Sequence, residues 1–180
     1  VLNGLVKKNI LAKKKLRVDR FEHFDSKNDN HIQLTDYQNE ALLEIKEELN
    51  NNKVVLFKGV TSSGKTEIYI ELIKEIISKK LNVLFLVPEI ALTTQLVSRL
   101  QSYFPTNLHV YHSGINPNLR YEIWNDLNHT NKPKVILGAR SSIFLPFKNL
   151  GLIIVDEENE VSYKQFESRP LYNARDLSVY

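Results

Sequence analysis

The sequence predicts a doubly wound α/β fold, in which a parallel sheet is covered by helices on both faces. Two observations predict it. The strand candidates are continuous apolar runs without alternation, which is typical of strands buried on both sides. Segments with helical spacing lie between them, as the crossovers of a parallel sheet require. Ligands in such folds bind beyond the carboxyl ends of the strands, so functional residues are expected there.

The elements are predicted in chain order as follows. Thr35 is a candidate N-cap for a helix that ends at the Asn run 50–52. Apolar residues at helical spacing predict further helices at 68–77, 91–104 and 118–127. Continuous apolar runs predict five strands, at 53–59, 82–88, 107–112, 134–138 and 150–156. The chain ends at Tyr180 inside an apparent helix.

Composition excludes several classes of protein. A chain of 180 residues can bury a sizeable core, and without Cys it can form neither disulfides nor thiolate metal sites. No apolar run approaches the roughly 20 residues that cross a bilayer, and the basic N-terminus lacks the apolar segment of a signal peptide. We therefore expect a soluble, cytoplasmic protein. It also lacks Met, so we expect a piece of a longer protein.

Basic side chains are concentrated at the N-terminus. Residues 1–20 contain seven Lys and Arg and one Asp, a local charge of +6 in a chain of net charge +3. Charge alone leaves open a nucleic-acid contact or a solubilising tail. The polar stretch His23–His31 has no periodicity and is predicted to be a linker.

The run GVTSSGKT, 59–66, matches the phosphate-loop pattern G-x-x-x-x-G-K-[ST] at every fixed position. It follows a predicted strand and opens a predicted helix, so its main-chain N–H groups can surround phosphate oxygens. Lys65 is expected to reach the β- and γ-phosphates of ATP, and Thr66 to bind Mg²⁺. The predicted nucleotide contacts are Gly59, Thr61, Ser62, Ser63, Gly64, Lys65 and Thr66.

An acidic cluster follows the last predicted strand, in GLIIVDEENE. A phosphate-loop enzyme needs a carboxylate at the end of another buried strand to hold magnesium, and Asp156 is placed to supply it. Glu157 can orient or deprotonate the attacking water. With Lys65, these two form the predicted catalytic set. That chemistry does not need Glu158 or Glu160, which are interpreted as part of a solvated loop.

Further motifs resemble those of a known family. LTDYQ, LVPEIALTTQ, YHSG, VILGARSSIFLPF and LYNARDLSVY accompany the phosphate loop and the acidic motif in the order seen in the PriA family of bacterial replication-restart DNA helicases, of superfamily 2. The resemblance implies a RecA-like P-loop NTPase domain at 34–180, incomplete at its C-terminus. It also implies a linker at 23–33 and the end of a winged-helix-like DNA-binding domain at 1–22. The implied function is ATP-driven movement on single-stranded DNA at forks, for primosome assembly.

The resemblance also implies roles for single residues. Gln38 matches the glutamine that reads adenine, although an exposed helical Gln is an equal alternative. Strand-end loops would follow DNA phosphates, and rings of the aromatic-rich loop Ser162–Asp176 would stack on bases. A surface ion pair for Arg140, and packing against the sheet edge for each ring, remain alternatives. His112 is interpreted as a capping or packing residue. The implied DNA-binding residues are Glu89, Thr93, Arg140, Ser141, Tyr163, Lys164, Phe166 and Arg175.

Two positions depart from the family pattern. Asn159 stands where the family usually has His, and an amide cannot take up a proton near neutral pH. ATP binding is expected to survive there, while the efficiency of coupling to DNA is left open. Ser62 replaces a common Gly, which is a mild change.

Other parts of the family's architecture are expected beyond this chain. They include a second motor domain with an arginine finger, worth about 10³ to 10⁵ in rate, and a module that binds zinc. The isolated 180-residue fragment is therefore expected to bind ATP and Mg²⁺ but to be nearly inactive, without zinc of its own. The implied partners are single-stranded and forked DNA, and in the full-length protein primosome and single-strand-binding proteins. The implied location is the bacterial cytoplasm, at the nucleoid, without a membrane partner.

Three competing hypotheses remain from the sequence. One is another superfamily 2 translocase, for repair or restriction. A second is a P-loop kinase or switch protein, which would leave VPEIALT and GARSSIFLPF unexplained. A third is a binding module whose ATP site is vestigial because of Asn159.

Overall fold

The computed structural model describes residues 32–51, 54–59, 63–167 and 169–180, which contain five α-helices and four strands. The winged-helix segment predicted at 1–22 lies outside these ranges, as does most of the predicted linker. The helices are α1 (Asp36–Asn50), α2 (Lys65–Ser78), α3 (Thr94–Tyr103), α4 (Pro117–His129) and α5 (Ala174–Leu177). The strands are β1 (Asn82–Leu86), β2 (Leu108–Tyr111), β3 (Val135–Gly138) and β4 (Leu150–Val155).

The strands form one four-stranded sheet with the order β2-β3-β1-β4. All three pairings are parallel, and β1 lies between β3 and β4. Val83 of β1 is paired with Val135 on one side and with Leu152 on the other. The predicted doubly wound parallel fold is confirmed, and it places the carboxyl ends of the strands along one edge.

Helices cover both faces of the sheet. Because side chains alternate along a strand, β1 sends Val83 and Phe85 to one face and Leu84 and Leu86 to the other. The first face is packed against α2 and α3, and the second against α4 and α5. All five residues of β1 are buried, which explains its continuous apolar sequence.

The helix α4 presents one apolar face to the sheet. Ile123 and Leu127, four residues apart, are buried in the second cluster. Tyr121 and Trp124 face solvent, with 64% and 42% of their surface exposed. Asn116 caps the helix, since its side-chain oxygen accepts the N–H of Asn118 at 2.9 Å.

A buried ion pair ties α4 to the start of β3. The ammonium of Lys134 lies 2.6 Å from a carboxylate oxygen of Asp126, and their side chains are only 10% and 15% exposed. Burial alone would raise the pKa of Asp126, but the hydrogen bond and the charge of Lys134 hold it below its usual value. The carboxylate therefore stays ionised inside the protein.

The strand predicted at 53–59 is wrong for the described residues 54–59, which form no strand. Val55 and Phe57 pack on a small cluster that α1 and α2 form, while Val54 and Leu56 are exposed. A groove of about 700 Å³ lies between this segment and the residues of β4. Buried and exposed side chains alternate along the segment, so it packs by one face. A strand also needs a hydrogen-bonded neighbour, and the groove lies between this segment and β4.

Candidate functional site

The N-terminus of α2 is open towards the predicted phosphate loop. Its N-cap, Gly64, has no side chain to cap the helix, whereas Thr35, Thr93 and Asn116 cap α1, α3 and α4. The first-turn N–H groups of a helix lack the usual intrahelical partners, so those of α2, without a side-chain cap, can donate to a phosphate oxygen. Gly64 has φ 81, and a Cβ there would also meet the side-chain amide of Gln38. Only glycine suits this position.

Lys65 is held beside the loop by its own ammonium group. Nζ donates to the main-chain oxygen of Gly59 at 2.9 Å, which closes the loop from Gly59 to Lys65. Lys65 and Thr66 are half-buried in the first turn of α2, and Ser63 is exposed. The predicted contacts Thr61 and Ser62 lie outside the described residues. The arrangement of Gly59, Gly64 and Lys65 fits a bound phosphate group.

Gln38 connects α1 to the phosphate loop. Its side-chain oxygen accepts the N–H of Thr35 at 2.9 Å, while the hydroxyl of Thr35 accepts the N–H of Gln38 at 3.3 Å. This is a capping box. Its side-chain nitrogen donates to the main-chain oxygen of Ser63 at 3.3 Å. The predicted adenine-reading residue therefore lies beside the loop, with both ends of its amide bonded to protein.

Asp156 follows β4 and faces α2. Its N–H donates to the oxygen of Leu86 at 3.0 Å, and one of its carboxylate oxygens accepts from the hydroxyl of Tyr69 at 3.4 Å. Tyr69 lies three residues after Thr66, on the same face of the helix. Burial first, and then the charge of Asp156, raise the pKa of Tyr69, so this hydroxyl remains a donor.

Tyr69 is a site residue that sequence reasoning missed. Its position three residues after the predicted metal ligand Thr66 was the signal that could have found it.

Glu157 has an uncommon backbone conformation. Its φ is 51, in the left-handed region that disfavours residues with a Cβ, and it lies in the exposed turn 156–159. Such conformations cost about 1–3 kcal/mol and are frequent at functional sites. The turn carries Glu157 away from the strand direction immediately after Asp156. Asn159 ends the turn and is exposed.

The donor set of the site fits magnesium bound together with phosphates. Among the described residues, no group of three or more His, Asp or Glu side chains could hold a metal ion alone. Thr66 and Asp156 supply one hydroxyl and one carboxylate. Mg²⁺ commonly uses one or two such groups and takes its remaining ligands from water and substrate phosphates.

Two predicted DNA contacts follow β1. Glu89 is exposed in a 3₁₀ turn, Glu89–Ala91, and its carboxylate accepts from the hydroxyl of Ser113 at 2.6 Å. Thr93 is exposed and caps α3 by accepting the N–H of Leu96 at 3.3 Å. Its hydroxyl proton is not used in that bond. His112, interpreted as a capping residue, accepts the N–H of Gly114 at 3.2 Å.

Arg140 follows β3 in a second 3₁₀ turn, Arg140–Phe144. Nη1 donates to the main-chain oxygens of Ser162 at 3.2 Å and Lys164 at 2.7 Å, so Arg140 joins this turn to the aromatic-rich loop. Among the described residues, Arg140 is bonded to main-chain carbonyls, and the ion pair considered for it stays a prediction. Ser141, the next residue, is half-buried.

The aromatic-rich loop begins with a buried ring and continues with exposed ones. Tyr163 is 1% exposed and packs in the cluster on the second face of the sheet. The stacking role predicted for it does not fit this position, and its ring is one that packs against the sheet. Phe166 is 58% exposed, and the ammonium of Lys164 lies 5.0 Å from the centre of its ring. Arg175 donates to the oxygen of Glu158 at 3.3 Å.

A cavity of about 570 Å³ lies along this loop. Its walls include Lys164, Phe166 and Arg175, three of the predicted DNA-binding residues, together with Tyr172. The ring of Tyr172 meets Phe144 edge-on, with 4.7 Å between the ring centres. The structure thus brings Lys164, Phe166 and Arg175 to one surface, apart from the predicted contacts that follow β1.

Known proteins share the region that carries the phosphate loop, the strand-end carboxylate and these loops. Residues 31–175 match a family described as type III restriction enzyme, res subunit, or ResIII. The chain belongs to the ResIII family. The match covers the phosphate loop, the acidic turn and most of the aromatic-rich loop, so the candidate site lies inside the ResIII region.

Several proteins named replication restart protein PriA are similar to this ResIII chain. That of Bacillus subtilis is 41% identical over 182 residues, covering 99% of this chain and 22% of the relative. That of Helicobacter pylori strain 26695 is 47% identical over 133 residues, covering 74% of this chain and 21% of the relative. That of Rickettsia conorii is 44% identical over 146 residues, covering 81% of this chain and 22% of the relative. The expected similarity to the PriA family is confirmed, and the ResIII chain spans about a fifth of the length of these relatives.

Within the described ranges, no helix of this ResIII chain is long and apolar enough to cross a bilayer.

Proposed function

We propose that this chain is the ATP-binding motor domain of a DNA helicase or translocase that acts in replication restart. One observation carries the proposal: the carboxylate of Asp156 faces the open N-terminus of α2 through Tyr69. This contact supports the proposal, because hydrolysis of ATP requires an acidic strand end beside a phosphate loop. The 41–47% identity to replication restart proteins PriA supports the choice among phosphate-loop enzymes.

Each residue of the site has a separate role in the proposed hydrolysis of ATP. The N–H groups of the loop and of α2 bind the phosphates, and Lys65 exchanges its contact with Gly59 for the β- and γ-phosphates. Thr66 and Asp156 hold Mg²⁺, which when bound neutralises charge on the phosphates. Glu157 orients the attacking water and accepts its proton. Gln38 contacts the adenine from the edge of the loop.

The loops beyond β1 and β3 bind a DNA strand. The hydroxyls of Thr93 and Ser141 and the guanidinium of Arg140 contact phosphates, while Glu89 holds Ser113 in place. Phe166, beside Lys164, stacks on an unpaired base, which is worth about 1–3 kcal/mol per base. Arg175, whose guanidinium is paired with the carboxylate of Asp176, lies at the same surface. These contacts grip the backbone and the faces of bases, so binding is independent of sequence.

The location and the partners of the whole protein are part of the same proposal. It works in the bacterial cytoplasm at the nucleoid, on single-stranded and forked DNA, with primosome and single-strand-binding proteins. Zinc belongs to other parts of the full-length protein. Since the chain spans about a fifth of its relatives, we propose that the 180-residue piece binds ATP and Mg²⁺ but hydrolyses ATP slowly. Robust unwinding by this piece alone would contradict that proposal.

ATP hydrolysis by the full-length protein tests the main proposal. Single-stranded or forked DNA is expected to stimulate it, whereas small phosphate acceptors are not, which separates a helicase from a kinase. Glu157→Gln is expected to abolish hydrolysis while keeping ATP binding. The matched control is Glu158→Gln, at the neighbouring exposed carboxylate, which is expected to hydrolyse ATP normally. Unchanged hydrolysis in Glu157→Gln would favour a vestigial ATP site.

A second candidate is a translocase on double-stranded DNA, as in restriction or repair. The description of the matching family, type III restriction enzyme, res subunit, favours it. Stimulation of ATP hydrolysis by blunt duplex DNA, but not by single strands or forks, would support this candidate instead.

A further inference from the structure

Tyr69 contacts the proposed metal ligand Asp156 from a rigid position in the core. Tyr69 is 8% exposed and belongs to the cluster on the first face of the sheet. Its ring meets that of Phe85 edge-on, with 5.4 Å between the ring centres and 79° between the ring planes. A ring packed in this way cannot turn freely, because protein interiors are close-packed. The place of the Tyr69 hydroxyl is therefore set by the core.

The main chain of Asp156 is held at both of its polar groups. Its N–H donates to the oxygen of Leu86 at 3.0 Å, and its own oxygen accepts from the hydroxyl of Tyr163 at 2.5 Å. The carboxylate can still rotate on this fixed main chain, because the last torsion of an Asp side chain has broad preferences. The hydroxyl of Tyr69, which donates to one carboxylate oxygen at 3.4 Å, restricts that rotation.

The orientation of this carboxylate matters for magnesium in particular. Mg²⁺ demands near-ideal octahedral geometry, so a ligand that is already oriented loses less freedom when the metal binds. The contact of 3.4 Å is longer than the usual distance of about 2.7–2.8 Å between two bonded oxygens. Hydrogen bonds in active sites are often long before the substrate binds and tighten in the complex.

We propose that Tyr69 is a positioning residue, whose hydroxyl binds one oxygen of Asp156 and thereby keeps the other directed at Mg²⁺ and its water ligands. The inference rests on the proposed function and adds a residue that sets how strongly the metal is held. Groups that donate hydrogen bonds to metal ligands commonly contribute about 10–100-fold in metal affinity.

Tyr69→Phe in the full-length protein tests this role, because it removes one oxygen and keeps the ring. The measured quantity is the Kd of a non-hydrolysable ATP analogue, first in EDTA and then with Mg²⁺. The ratio of the Kd in EDTA to the Kd with Mg²⁺ is expected to fall about tenfold in the variant. The Kd in EDTA is expected to stay within about twofold of wild type, since the phosphate loop is unchanged.

The matched control is Tyr111→Phe. Tyr111 is also buried, but it lies in the cluster on the second face of the sheet, and its hydroxyl accepts from Arg120 at 3.5 Å. This variant loses the same oxygen away from the proposed metal site, so it is expected to keep the wild-type ratio.

The outcomes separate this inference from the proposed function. An unchanged ratio in Tyr69→Phe would overturn the inference. An equal rise of both Kd values would overturn it too, because that is the effect of a merely structural residue. If Mg²⁺ does not strengthen binding of the analogue to the wild-type protein, the proposed metal site of Thr66 and Asp156 fails instead.

A spectroscopic measurement keeps the test valid if Tyr69→Phe does not fold. 3-Fluorotyrosine incorporated at position 69 keeps the hydroxyl and adds a ¹⁹F label beside it. Its ¹⁹F resonance is expected to shift when Mg²⁺ is added to the complex with the ATP analogue, whereas the same label at position 111 should not respond. An unchanged resonance at position 69 would overturn the inference.

Discussion

At the scale of single residues, Glu157 has a backbone conformation that costs stability, at a position where we propose a role in ATP hydrolysis. Its φ of 51 is unfavourable for any residue with a Cβ. No local signal in DEEN requires this turn, because none of these residues is glycine. The carboxylate was predicted from its place after an apolar run, whereas the conformation that presents it could only be seen in the structure.

We expect Glu157→Gly to be more stable than Glu157→Ala by about 1 kcal/mol, because glycine adopts a positive φ without strain. Neither variant should hydrolyse ATP, since both lack the carboxylate. Urea denaturation measures the difference as a shift in midpoint at constant slope.

Lys80 provides a matched control, because it also has a positive φ, 61, and is exposed. Lys80→Gly should exceed Lys80→Ala in stability by a similar amount, with normal ATP hydrolysis in both. Equal stability of the Gly and Ala variants at 157 would show that the turn is not strained.

At the scale of elements, Thr93 has two separable roles, as the N-cap of α3 and as a proposed DNA contact. Thr93→Ala should lose about 1 kcal/mol of stability, because the N–H of Leu96 loses its acceptor. Thr93→Asp should keep the cap and the stability while it weakens DNA binding, because its charge repels phosphate. Thermal unfolding and fluorescence anisotropy of labelled DNA measure the two effects. Wild-type DNA affinity in Thr93→Asp would exclude a phosphate contact there.

The pair of Asp126 and Lys134 fastens α4 to β3 from inside the protein. Asp126→Asn should lower the free energy of unfolding at pH 7 by about 3–5 kcal/mol, since it leaves a buried ammonium without its counter-charge. The surface pair of Glu71 and Lys74 is the control, and Glu71→Gln should cost less than about 1 kcal/mol.

The pair also predicts how stability depends on pH. The pKa of Asp126 is lowered in the folded state, so its contribution is present above the unfolded pKa of about 4 and is lost as the pH falls below that value. As the pH falls from about 4 to about 2, the free energy of unfolding of Asp126→Asn should therefore decrease less than that of the wild type. Equal losses in both proteins would show that other carboxylates account for the acid sensitivity.

At the scale of the whole molecule, the proposed nucleotide site should link ligand binding to global stability. ATP with Mg²⁺ at 100 times its Kd should raise the free energy of unfolding by about 2.7 kcal/mol. Lys65→Ala should remove most of this gain. Lys74→Ala, on the same helix but bonded to Glu71, should retain it. A nucleotide-induced shift that persists in Lys65→Ala would place the nucleotide elsewhere.

The order of helices and strands was largely predictable from the sequence. The predictions that are wrong, for the segment 54–59 and for Tyr163, share one cause. The strands β1 and β3 were predicted within two residues of their ends, because strands buried on both faces are continuously apolar. The segment 54–59 has a similar composition but lies beside a groove, and composition does not reveal the hydrogen-bonding neighbour. Tyr163 was grouped with exposed rings for the same reason: the spacing of aromatic residues in a loop does not show which ring enters the core.

Trp124, the single tryptophan, gives the molecule a built-in optical reporter. It lies half-exposed on α4, on the face of the sheet opposite α2 and the phosphate loop. The emission of an indole depends on the water around it, so tryptophan fluorescence, excited at wavelengths that the tyrosines do not absorb, originates from this one place. A spectral change on adding nucleotide would therefore record a movement carried through the sheet to its far side.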